Sequence, residues 1–231
     1  MDATAPGEGT ERLVQVAAGR VTLEGNLRVP AGARGLVLFA HGSGSSRHSS
    51  RNRFVARALR QVGLGTLLID LLTSEEEAVD ARTGHLRFDI GLLAERLTGA
   101  TDWLREEPEA GELPIGYFGA STGAGAALVA AAERPRVVGA VVSRGGRPDL
   151  AGPALARVRA PTLLIVGGND FPVIGMNQDA LEQLGAAEKQ LVIVPGATHL
   201  FEEPGALEEV ARLAADWLRH YLSRPAGVHR V

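Results

Sequence analysis

Six short, nearly continuous apolar runs constrain the fold of this chain more than any other feature. They are GLVLFA (35–40), GTLLID (65–70), PIGYFG (114–119), VVGAVVS (137–143), PTLLIVG (161–167) and KQLVIVPG (189–196). Runs of this length suit strands buried on both faces of a parallel sheet. Segments with helical spacing separate them. Residues 51–61 place Phe54, Val55, Ala58 and Leu59 on one face, and residues 87–105 do the same with Phe88, Ile90, Leu93, Leu97 and Leu104. Thr122–Glu133 is rich in alanine, 177–184 is short, and Ala206–Leu222 turns Val210, Leu213, Ala214, Trp217 and Leu218 inward. Strand and helix alternating this often predict a doubly wound α/β sheet with right-handed crossovers. Ahead of it, Val21, Leu23, Gly25 and Leu27 alternate with polar residues, which predicts two antiparallel strands around a turn at Ala18 and Gly19. No Pro/Ser-rich linker divides the chain. One α/β domain over 12–223 is expected, with tails at 1–11 and 224–231.

The bulk chemistry narrows the function classes. Of 231 residues, 45% are hydrophobic and 22% charged, enough to bury a sizeable core. The net charge of −3 offers no basic face for nucleic acid. The chain has no cysteine, so disulfides, thiolate metal sites and a thiol nucleophile are excluded. The N-terminus, MDATAPGEGTER, has no apolar run of signal-peptide length and no stretch reaches the length of a membrane span, and a cytoplasmic protein without membrane or nucleic-acid partners is the expectation. Its oligomeric state is expected to be monomer or homodimer.

In an open parallel sheet, ligands bind beyond the carboxyl ends of the strands. The residues following the runs gather His41, Ser43, Ser121, Arg144, Asp170 and His199 at that edge. Gly119-Ala120-Ser121-Thr122-Gly123 matches G-x-S-x-G between a predicted strand and a predicted helix, the context that pattern requires. Small neighbours let the backbone bend sharply and leave the Ser121 hydroxyl projecting. Asp170 ends one run and His199 follows the next, giving the order Ser, Asp, His. A serine hydroxyl needs an imidazole to take its proton, and the imidazole needs a carboxylate to fix its tautomer. A tetrahedral oxyanion needs preorganised N–H donors. Thr122 supplies one, and the 41–44 loop supplies the other, through Ser43 or alternatively Gly44. His41 is expected to brace that loop.

HGSGSS, GASTGAG, GGND and GATHLF, in this order, resemble the α/β-hydrolase superfamily and its dienelactone hydrolase-like branch of small bacterial esterases. The resemblance runs from about Val21 to about Leu222. It implies a mostly parallel central sheet with helices on both faces, antiparallel N-terminal strands and no large cap. It implies Ser121 as nucleophile, Asp170 as acid, His199 as general base, and Ser43 and Thr122 at the oxyanion hole. Dienelactone hydrolase itself uses a cysteine nucleophile, so the likeness favours hydrolysis of small to medium carboxylic esters over dienelactone. Lactone opening or acyl transfer with the same residues is the alternative, and a non-catalytic binding module is a further one. No metal or organic cofactor is expected.

The remaining edge residues are candidates for substrate contact. Arg144 is read as facing a substrate carboxylate or phosphate, or as forming a salt bridge with Asp149 or another loop acid. Gly44 belongs to the oxyanion loop. Leu72, Phe171, Met176, Leu200 and Phe201 are candidate apolar lining. The charged stretch after Asp70 reads as a mobile flap, and residues 143–160 have room for one helix.

Overall fold

The computed structural model describes residues 9–223. Its strands are β1 (Arg12–Ala18), β2 (Val21–Arg28), β3 (Leu36–Ala40), β4 (Gly65–Ile69), β5 (Ile115–Ala120), β6 (Val138–Arg144), β7 (Thr162–Gly167) and β8 (Lys189–Val194). They form one sheet in the order β1-β2-β4-β3-β5-β6-β7-β8. β1 and β2 pair antiparallel, as do β2 and β4; every later pairing is parallel. The helices are α1 (Ser50–Gln61), α2 (Ser74–Thr83), α3 (Ile90–Glu106), α4 (Thr122–Glu133), α5 (Phe171–Gln183) and α6 (Ala206–Leu222). This is the expected α/β architecture, with antiparallel strands leading a parallel sheet.

Alternation along the central strands divides the core in two. Leu36, Leu38 and Ala40 of β3 face the layer that holds α3, α4 and α5. Val37 and Phe39 face the layer that holds α1 and α6. Both sets are fully buried, which is why the strand reads as an unbroken apolar run and not as an alternating one. Register then aligns the strand ends: Ala40 lies beside Gly119, and Ala120 beside Arg144. Whatever follows β3, β5, β6 and β7 is delivered to one edge.

The structure departs from the sequence reading in several places. The stretch read as a flap is α2, a helix fixed by a capping box between Thr73 and Glu76. The Asp80 carboxylate also accepts from the Leu86 and Arg87 backbone N–H groups and from the Arg87 side chain. α5 starts at Phe171, not at 177, with Pro172 in its first turn. The β6–β7 connection holds a 3-10 segment, Pro148–Arg157, broken at Gly152 (φ 49°), so the one helix allowed for is not a regular one. β8 is an edge strand and largely exposed, unlike the doubly covered strand that its composition suggests. The expected tails at 1–8 and 224–231 lie outside the described residues. Glu11, also assigned to the tail, accepts a hydrogen bond from Asn26 Nδ2 at 3.0 Å. No helix among the described residues is long and apolar enough to cross a membrane.

Candidate active site

Ser121 sits between β5 and α4 at φ 50°, ψ −123°, one of two positive-φ residues other than glycine among those described. A side chain in that region is strained and is held there only by its surroundings. Those surroundings explain the flanking glycines. A Cβ on Gly119 would lie 2.5 Å from the Ala124 Cα, and one on Gly123 would lie 2.4 Å from the carbonyl oxygens of Ala40 and His41. The first turn of α4 is thus pressed onto the ends of β5 and β3. Its positive dipole end faces the same point as the Ser121 hydroxyl.

His199 and Asp170 come from neighbouring loops. Asp170 is the N-terminal residue flanking α5, and His199 follows β8. His199 Nδ1 and Asp170 Oδ2 are 2.7 Å apart. With the carboxylate accepting, Nδ1 carries the proton and Nε2 is the basic nitrogen. Gly145 (φ 50°) lies close to the ring: a Cβ built there would stand 3.6 Å from His199 Cε1. His199 and Ser121 line one cavity of about 270 Å³ together with Gly42, Ser43, Ser45, Ser49, Arg51, Asn52, Ala120, Arg144 and Leu200.

The loop after β3 is fixed at both ends. The Ser43 N–H donates to Thr122 Oγ1 at 2.9 Å, which ties this loop to the first residue of α4. The Leu71 N–H donates to His41 Nε2 at 3.0 Å, so His41 Nδ1 carries the proton and donates to the Gly42 carbonyl, 2.9 Å away. Burial holds the His41 pKa below its ordinary value; the Gly42 bond and the charge of Asp70 offset part of that effect. His41 is therefore a neutral brace between the loops after β3 and β4.

The substrate candidates separate. Arg144 and Leu200 lie on the Ser121 cavity. Gly44 and Leu72 line a neighbouring cavity of about 530 Å³, reached across the 42–49 loop and walled also by Leu71, Glu77, Arg87 and Leu93. His48 lines this second cavity, whereas Arg47 is drawn away to Asp70 and Glu24. Phe171 is 73% exposed beside Asp170. Met176 lines neither cavity. Phe201 is fully buried, at φ 56°, with its ring beneath Arg144. It belongs to the core and not to an open wall.

The proposed Arg144–Asp149 pair does not form. Arg147 takes Asp149 instead, at 2.7 Å. Arg144 is buried, and its guanidinium carbon lies 5.9 Å from the Phe201 ring centroid. Burial, aided by the nearby Arg51 charge, pushes its pKa down to about 10. Arg51 and Asn52 are among the cavity residues that sequence reasoning passed over, with Ser45 and Ser49. The signal for Arg51 and Asn52 was position, since both open α1 directly after the 42–49 loop. Among the described residues, no group of three or more His, Asp or Glu is placed to hold a metal ion.

An eight-stranded, mostly parallel sheet with this serine turn at its carboxyl edge defines an α/β hydrolase. Residues 33–223 match the dienelactone hydrolase family, and the chain belongs to it. It is 68% identical to a dienelactone hydrolase from Anabaena variabilis, whose crystal structure superimposes with a TM-score of 0.91 over 93% of this chain and 99% of that one. At 21% identity it shares the fold of an α/β serine hydrolase without a lid from Xanthomonas campestris (TM-score 0.73, 96% of this chain, 99% of that one). It is also 59% identical over 97% of its length to a Mycobacterium tuberculosis protein that carries the name phosphoribosyl transferase, of which the match covers 50%. The chain thus spans about half the length of the first curated relatives it matches.

Proposed function

We propose that this chain hydrolyses small to medium carboxylic esters through Ser121, His199 and Asp170. The observation that carries the reading is the 2.7 Å His199–Asp170 contact on a histidine that shares its cavity with a serine at positive φ. In the proposed cycle His199 Nε2 takes the Ser121 proton as Oγ bonds to the ester carbonyl carbon. The oxyanion is held by the Thr122 N–H and by the Ser43 N–H, which exchanges its Thr122 hydroxyl partner for the substrate oxygen. Collapse breaks the bond to the alcohol, which leaves with the proton from His199. Water then enters by the same route in reverse, its proton passing to His199 and the acid leaving Ser121. Asp170 stabilises the imidazolium in both halves.

Lactone opening follows from the same steps with the alcohol still tethered, and acyl transfer follows if an alcohol replaces water. The transferase name of the mycobacterial relative belongs to a protein of about twice the length, and the serine turn described above supports hydrolysis in this half. Fluorophosphonate labelling followed by peptide mapping tests the assignment. Label on Ser121, with 4-nitrophenyl acetate turnover lost in Ser121→Ala while circular dichroism is retained, is the expected result. Label on another serine, or turnover surviving in the variant, would overturn it.

A further inference from the structure

The backbone of Arg144-Gly145-Gly146-Arg147, where β6 ends, packs between the proposed nucleophile and the proposed base. The Ser121 N–H donates to the Arg144 carbonyl at 3.3 Å, and the Arg147 N–H donates to the Ser121 carbonyl at 3.1 Å. One segment thus engages both backbone groups of the serine at φ 50°, and it takes part in enforcing that conformation. On its other side the segment meets the base, since a Cβ on Gly145 would lie 3.1 Å from the His199 carbonyl oxygen. A Cβ on Gly146 would run into Ser143 Oγ and lie 2.7 Å from Ala124 Cβ in the first turn of α4. The two consecutive glycines make this close approach possible.

The proposed acid reaches the same segment through one side chain. Asn177 is fully buried in the second turn of α5, the helix that Asp170 precedes. Its Nδ2 donates to the Gly146 carbonyl at 3.0 Å and to the Val173 carbonyl, in the first turn of α5, at 2.8 Å. The Val173 N–H in turn donates to the Asp170 carbonyl at 3.0 Å. One amide therefore joins the Asp170 end of α5 to the segment that holds Ser121. Two costs come with it, because asparagine is a weak helix former and its Oδ1 is buried without a partner. A leucine would avoid both, so the two Nδ2 bonds are what the residue contributes. Asn177 lines neither the Ser121 cavity nor its neighbour.

Resting on the ester hydrolase reading, we propose that Asn177 is a positioning residue for that reaction: by tying α5 to Gly146, its amide keeps Asp170, and through it His199, in register with Ser121. The 2.7 Å contact between His199 and Asp170 fixes the ring only as well as Asp170 itself is fixed. Misplacing a reacting pair by about 1 Å can cost about a hundredfold in rate. Loss of the tie therefore acts on kcat, whereas KM, set by cavity walls that Asn177 does not form, stays close to its wild-type value.

The test reads turnover and a spectroscopic signal on the same variants. Asn177→Leu removes the amide and keeps a branched side chain. Ala180→Gly weakens α5 one turn further on without touching the segment, and serves as the control. In Asn177→Leu, kcat for 4-nitrophenyl acetate is expected to fall about ten- to a hundredfold, with KM within about twofold of wild type. The low-field proton resonance of His199 Nδ1–H, identified by its loss in His199→Gln, is expected to shift or broaden in the same variant. Ala180→Gly is expected to keep both. Circular dichroism reports folding. If Asn177→Leu does not fold, Asn177→Ala, which cannot overpack, takes its place; failure of both to fold makes Asn177 a stability residue and ends the proposal. A folded variant with wild-type kcat, a kcat loss with the resonance unmoved, or equal losses in Ala180→Gly would overturn it as well. If wild type turns over no ester, the hydrolase reading fails by itself, and the resonance decides alone. Its displacement in Asn177→Leu then upholds the tie between Asn177 and Asp170, and an unmoved signal refutes it.

Discussion

Two residues hold backbone conformations that their side chains disfavour, Ser121 at φ 50° and Phe201 at φ 56°. Ser121 is the proposed nucleophile and Phe201 follows the proposed base, His199, by two residues; strain of this kind commonly gathers at functional sites. At Ser121 the strain is enforced by close packing, because Gly123 lets α4 approach within contact of two carbonyl oxygens at the end of β3. Gly123→Ala puts a methyl group 2.4 Å from both, and neither is a flexible side-chain tip. The expected cost is about 1–3 kcal/mol of stability, the usual range for overpacking. Because the displaced turn also carries Thr122 and Ser121, a loss of fluorophosphonate reactivity should accompany the lowered urea midpoint. Gly175, where a Cβ would meet nothing, is the comparison site, and Gly175→Ala is expected to leave the labelling rate unchanged.

At the scale of elements, what the sequence makes legible tracks how each element is stabilised. β3 to β7 are covered on both faces, so composition alone marks them. β8 has a similar composition but lies at the edge, and edge position is a property of topology that no local run encodes. α2 has no apolar periodicity; its sequence SEEEAVDART is held by the local Thr73–Glu76 capping box, by Asp80–Arg87 and by Glu76–Arg96, the last a pair 20 residues apart that only the fold brings close. The Ser, Asp and His of the candidate site were readable because each follows a recognisable strand. The environment of Arg144 was not, because which arginine takes Asp149 depends on loop geometry. Two predictions belong here. Asp80→Ala removes the carboxylate that accepts from Leu86, Arg87 and the Arg87 side chain, and hydrogen exchange across 74–88 should accelerate while the central strands keep their protection. His41, the brace between the loops after β3 and β4, adds a pH dependence. Its folded-state pKa lies below the ordinary 6.5, so the neutral ring stabilises the fold above about pH 6.5. That contribution is lost as pH falls below 6.5, because the unfolded chain takes up the proton first. Thermal stability of wild type should therefore decline more steeply on acidification below 6.5 than that of His41→Gln; equal slopes would remove His41 from the account.

For the whole molecule, the last turn of the described chain closes the sheet. Leu222, the final residue of α6, is fully buried and sits over β5 and β6 and the entry to β3. Its seat is made of glycines: a Cβ on Gly35 would lie 2.7 Å from Leu222 Cβ, one on Gly116 2.9 Å from its Cδ1, and one on Gly139 3.1 Å from its Cδ2. Those glycines read as weaknesses within apolar strands, since glycine in a strand interior gives up packing and chain entropy. In the fold they are the space into which α6, which begins 171 residues (206 − 35) after Gly35, inserts its last leucine. The two core layers share this sheet, so loosening one side of it weakens the support of Ser121 at the end of β5 on the other. Leu222→Ala leaves a hole that rigid strands cannot collapse into, and the expected loss is about 2–5 kcal/mol. For a chain of this size that lowers the thermal midpoint by about 4–20 °C. Leu222→Met, close in volume, should recover most of it, as volume-conserving exchanges do. If Leu222→Ala unfolds at the wild-type midpoint, α6 is a peripheral helix and the glycine seat has no energetic role.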